Sequence, residues 1–103
     1  PPAELFLLKA QIVEMNEKDW QDMSILLREH PVGNADEDTI NLDHVSKILA
    51  NDWGFYYTVS TNLRKLHDYL GACPGLKDDD RANIEGKIST ITDAIETEPK
   101  TLK

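Results

Sequence analysis

Ile84, Ile88, Ile91 and Ile95 follow one another at intervals of four, three and four residues, and this spacing limits what the chain can fold into more than any other feature. Positions three and four apart share one side of an α-helix, whereas on a strand they would be scattered over both faces. The same period recurs along the chain. Phe55, Val59, Leu63, Leu66 and Leu70 form a second stripe, Val45, Ile48 and Leu49 a third, and Trp20, Met23, Leu26 and Leu27 a fourth. Leu5, Leu8, Ile12 and Met15, flanked by Phe6 and Val13, form a fifth. No stretch alternates with the period of a strand. The sequence therefore predicts an all-α fold, with about five helices in a single compact, bundle-like domain over residues 1–103.

Local signals separate the helices. Pro2 suits the first turn of helix one, which should run from Ala3 to Met15. Asn16 can cap helix two, with Asp19 three residues later in a position resembling a capping box, and Pro31 stops that helix near His30. The segment Pro31 to Asn41, PVGNADEDTIN, mixes Pro, Gly, Asn and acids and reads as an exposed loop. Helix three should start after Asn41, Gly54 should mark the bend before helix four, and the turn Gly71 to Gly75 with Pro74 should end helix four. Helix five opens on Asp78, Asp79 and Asp80, whose charges favour a helix N-terminus. Its isoleucine stripe is narrow, with polar residues on both sides, which suits a helix laid along one groove.

Charge narrows the possible partners. Nineteen acidic residues against eleven basic ones leave a formal net charge of -8, and the basic residues are scattered. Phosphate backbones are bound by neutralising them with Lys and Arg, so direct nucleic-acid binding is not expected. Cys73 is alone and cannot form an internal disulfide. The absence of a signal-peptide core or an apolar run of membrane length points to a reducing, cytoplasmic setting with no membrane partner. The start at Pro1-Pro2 without methionine and the stop at Lys103 suggest a fragment of a longer chain.

On a helical wheel Lys9 falls between Leu5, Ile12, Phe6 and Val13, near the middle of an apolar face, and needs a partner there. Asp19 lies close to the apolar arc of helix two and Asp22 at its edge, and the very short connection should set the two helices side by side. On the structural reading, Lys9 snorkels across the core and Asp19 merely caps its own helix. On the functional reading, a partly buried Lys–Asp pair marks a site, because burying charge is expensive and adds little stability. Trp53, Tyr57 and Arg64 lie away from the leucine stripe and form a candidate interaction surface, unless they cover a neighbouring helix. His30, His44 and His67 lack ligand spacing, and the acids around Asp36 and Asp78 lack the pattern of a calcium loop, so no metal site is expected. Neither a nucleophile elbow nor a phosphate-cradling glycine loop is present, and no catalytic residue is assigned.

The stretch Pro2 to Leu27, PAELFLLKAQIVEMNEKDWQDMSILL, carries Leu7-Leu8-Lys9 on one helix and Lys18-Asp19-Trp20-Gln21-Asp22 at the start of the next. This resembles the helical part of nucleotidyltransferase-fold proteins of the abortive-infection and toxin–antitoxin type. Asp52-Trp53-Gly54 and Thr58 to Leu63, TVSTNL, look like the continuation seen in bacterial members of that group. The resemblance implies that Lys9, Lys18, Asp19 and Asp22 face a nucleotide cleft, with Lys9 meeting phosphate oxygens. It also implies that the metal-binding acids and the Gly-Ser signature belong to an N-terminal α/β domain that would be this chain's principal partner. Magnesium and a nucleoside triphosphate would then be ligands of the whole protein, with no cofactor held by this part and no activity in it alone. The alternative is a helical interaction or oligomerisation module in which Ile84, Ile88, Ile91 and Ile95 dock against a partner chain or a second copy.

Overall fold

Residues 2–35, 37–73 and 75–100 are described by a computed structural model, in which they form five helices around one core. These are α1 (Pro2–Ala10), α2 (Glu17–Glu29), α3 (Leu42–Ala50), α4 (Trp53–Gly71) and α5 (Asp78–Thr97). The fold is all-α and forms one domain. Helices α4 and α5 pair as an antiparallel hairpin, α2 and α3 pack on other sides of α5, and α1 lies against α2, α3 and α4. Pro74 and Asp36, both singled out in the sequence, lie outside the described residues.

The helix starts follow from local chemistry. At α2, Asn16 accepts from the Asp19 amide at 2.9 Å while the Asp19 carboxylate accepts from the Asn16 amide at 3.0 Å, a complete capping box. Asn41 caps α3 and Asp52 caps α4 by accepting from the amides of His44 and Phe55, without the reciprocal bond. The bend before α4 therefore falls at Asn51 and Asp52, and Gly54 lies inside the first turn of α4.

Three further expectations are corrected. Helix α1 stops at Ala10 and buries Ala3, Phe6, Leu7 and Ala10, while Leu5 and Leu8 are exposed. With Leu5, Phe6, Leu7 and Leu8 in succession, the helix carries two apolar stripes, and spacing alone cannot tell which one turns inwards. Second, Ile84, Ile88, Ile91 and Ile95 are core residues, none more than 4% exposed. The groove that receives their stripe is formed by α2, α3 and α4 of the same chain, so these side chains are closed to any partner. Each such burial contributes roughly 1.5–3 kcal/mol. Third, the segment after α2 contains a minimal parallel pair, β1 (Val32–Gly33) with β2 (Ile40–Asn41), in which Val32 stands opposite Ile40. Ile40 is fully buried and anchors the end of the loop, while Asn34, Ala35, Glu37 and Asp38 stay exposed.

The ends of α1, α2 and α4 are closed by side chains from α4 and α5, whereas α3 and α5 are closed locally by Asn51, Glu98 and Lys100. Among the described residues no glycine has positive φ, so no helix ends in the left-handed glycine cap that usually satisfies the last carbonyls. Instead the buried Asn62 amide of α4 donates to the carbonyls of Ala10 and Ile12, both at 2.7 Å, at the end of α1. Lys87 of α5 donates to Leu27 at 2.6 Å and His30 at 2.8 Å at the end of α2. Arg81 of α5 donates to Leu70 at 2.9 Å and Cys73 at 3.0 Å at the end of α4. Burial, and then the nearby Arg28 guanidinium, push the Lys87 ammonium below the ordinary lysine range. Replacing Asn62 with Ala should strand two carbonyls and leave a void. The expected loss is about 2–3 kcal/mol in urea unfolding, with the helical circular-dichroism signal retained.

Candidate functional site

The short link between α1 and α2 brings the last turn of α1 beside the second turn of α2. Asp22 is the partner of Lys9: its Oδ2 lies 3.2 Å from Lys9 Nζ and 3.2 Å from Lys18 Nζ, which reaches it from one turn earlier. Asp19 does not join them, because its carboxylate is engaged in the capping box. The side chains of Lys9 and Asp22 are about one-third exposed, at 32% and 27%, so Lys9 lies at the margin of the core instead of within it. Hydrogen bonds from Lys18 first, and then from Lys9, hold the Asp22 carboxyl below the usual aspartate range.

Two cations converge on one carboxylate here, although Glu17 and Asp19 flank Lys18 in the sequence. Chemically, such a cluster can attract an anion. An aspartate whose pKa is lowered stays ionised at neutral pH and is unsuited to act as a general acid. Leu5 and Leu8 lie on the side of α1 opposite its buried residues and are 43% and 59% exposed, so the cluster borders an open apolar face.

The remaining candidates lie elsewhere. Trp53, Tyr57 and Arg64 are exposed and lie along one stripe of α4. Asn62, on the opposite side of that helix, faces α1, so this stripe is turned away from the Lys9 cluster. Arg64 helps line a groove of about 480 Å3 between α4 and α5. The α5 wall of that groove was not singled out from the sequence. Its residues Glu85, Ser89, Thr92 and Glu96 repeat at helical spacing just as the isoleucines do, and this polar stripe was the signal to read. No group of three His, Cys, Asp or Glu side chains among the described residues is arranged to hold a metal ion.

The pH dependence of the Lys9–Asp22–Lys18 cluster has a definite sign. Because the Asp22 pKa is depressed in the folded state, its stabilisation is present above the ordinary aspartate range and is lost as pH falls through the lower folded value. Compared with Asp22→Asn in chemical unfolding, the wild type should therefore lose its advantage progressively below about pH 4. A difference that stays constant as pH falls through the acid range would contradict it. Compared with known proteins, the chain matches no protein-family model, no curated protein and no solved structure.

Proposed function

We propose that this chain is the helical, non-catalytic part of a nucleotidyltransferase-like protein, lending Lys9 and Lys18 to a nucleotide cleft that an α/β domain completes. The observation that supports it is the convergence of both ammonium groups on one Asp22 oxygen at 3.2 Å, inside the stretch that carries the family resemblance. Asp22 holds two flexible lysines towards a common point, so an arriving phosphate meets cations that are already oriented. Lysine contacts phosphate as a point charge and needs no fixed fork geometry. Asp19, occupied in its cap, has a structural part in this reading, and the metal ions come with the α/β domain. The exposed Leu5 and Leu8 would lie against that domain.

The chain titrated with adenosine triphosphate should show small amide shifts over residues 5–10 and 17–23 in NMR spectra, from the phosphate contacts of Lys9 and Lys18 alone, since the metal-binding acids belong to the α/β domain. The Lys9→Ala and Lys18→Ala variants should lose those shifts while melting close to the wild type, since partly exposed ion pairs contribute little stability. No shifts at millimolar nucleotide would remove the cleft reading.

A second reading, an interaction module without a nucleotide role, is favoured by the same open face of α1. Large apolar side chains left open on a helix often mark a contact surface, and among the described residues Leu5 and Leu8 are 43% and 59% exposed. If two copies meet there, sedimentation should show a dimer that Leu5→Ser combined with Leu8→Ser converts to monomer without lowering the melting temperature. A monomeric wild type would exclude self-association through this face.

A further inference from the structure

On α4, Trp53, Tyr57, Ser60, Arg64 and His67 stand at intervals of four, three, four and three residues, so they form one straight stripe about 21 Å long at 1.5 Å per residue. The lower part of this stripe is one wall of the groove between α4 and α5, and the buried Leu63 and Ile88 form its floor. The other wall carries Glu85, Asp93 and Glu96. We propose that this groove is a docking site for a positively charged, amphipathic segment of a partner protein, with Trp53 and Tyr57 as apolar anchors and the α5 acids as its electrostatic match.

Charge and exposure both point to this occupant. The groove sets three carboxylates against one guanidinium. The Asp93 carboxylate has no partner among the described residues, while Glu96 accepts from the Tyr56 hydroxyl at 2.9 Å and Glu85 lies 3.6 Å from His67. Trp53 and Tyr57 are 57% and 61% exposed, and these residue types, together with Arg, are the ones that most often dominate binding energy at protein interfaces. Arg64 has no acidic partner among the described residues and can donate to backbone carbonyls or a carboxylate of the bound segment. A nucleic acid would meet the α5 acids with like charge. A second copy would bring another chain of net charge -8 to an already acidic wall.

The test uses the whole chain and two synthetic peptides of about fourteen residues, the number that spans the stripe if helical. Both carry tryptophan and leucine on one side; one has lysines at the remaining positions and the other glutamates. The lysine peptide should shift amides over residues 53–67 and 85–96 and should bind at least about tenfold more tightly than the glutamate peptide in calorimetry. Glu85→Gln combined with Asp93→Asn should weaken it by about tenfold, and Trp53→Ala by a similar factor. All three positions are partly or fully exposed, so these variants should keep the wild-type melting curve. Equal binding of both peptides, shifts confined to α1 and α2, or a dimer that protects the groove from the peptide would each overturn the proposal.

Discussion

The fold depends on how the ends of its helices are closed. Each α-helix leaves its last carbonyls without partners, and burying them unsatisfied would cost free energy comparable to the net stability of a small domain. Here Asn62, Lys87 and Arg81 supply those partners for α1, α2 and α4, and each reaches across from another helix or from the far side of a turn. The consequence is cooperativity. Helix α1 ends where Asn62 meets it, α2 ends where Lys87 meets it, and α5 is held against α2 and α4 by polar contacts as well as by its isoleucines.

This use of cations also shapes the surface. Lys87, Arg81 and Lys100 are directed at backbone carbonyls, and Arg28 and Lys47 pair with Asp80, Asp43 and Glu98. Five of the eleven basic side chains are thereby engaged within the fold. The Lys9–Lys18 pair stands out against that background because its two charges share one carboxylate. The α4–α5 groove stands out in the opposite sense, with acids that outnumber its single guanidinium. The two candidate surfaces lie on different sides of α4, one with two ammonium groups on a shared carboxylate and the other walled by acids, so they suit ligands of different chemistry.

Much of the fold was legible in the residues. The stripes of α4 and α5, the stop before Pro31, the cap at Asn16 and the start of helix three after Asn41 all depend on neighbours within four positions, and all appear where the spacing placed them. The candidate site was legible only in part. Lys9 beside Leu8 advertised an unpaired charge, but two acids three residues apart could each have taken it, and Asp19 was already occupied by its cap. The isoleucine stripe was equally ambiguous, since a narrow apolar face looks the same whether its groove belongs to the chain or to a partner.

The sequence by itself determined the helical period, the number of helices and the chemistry at their N-termini, because those are set by backbone geometry and by side chains that reach their own turn. Tertiary structure decided which face of α1 is buried, which acid receives Lys9, and that α5 is enclosed. Those outcomes depend on contacts between residues far apart in the chain, such as Asn62 with Ala10 and Lys87 with Leu27, and no local pattern encodes them.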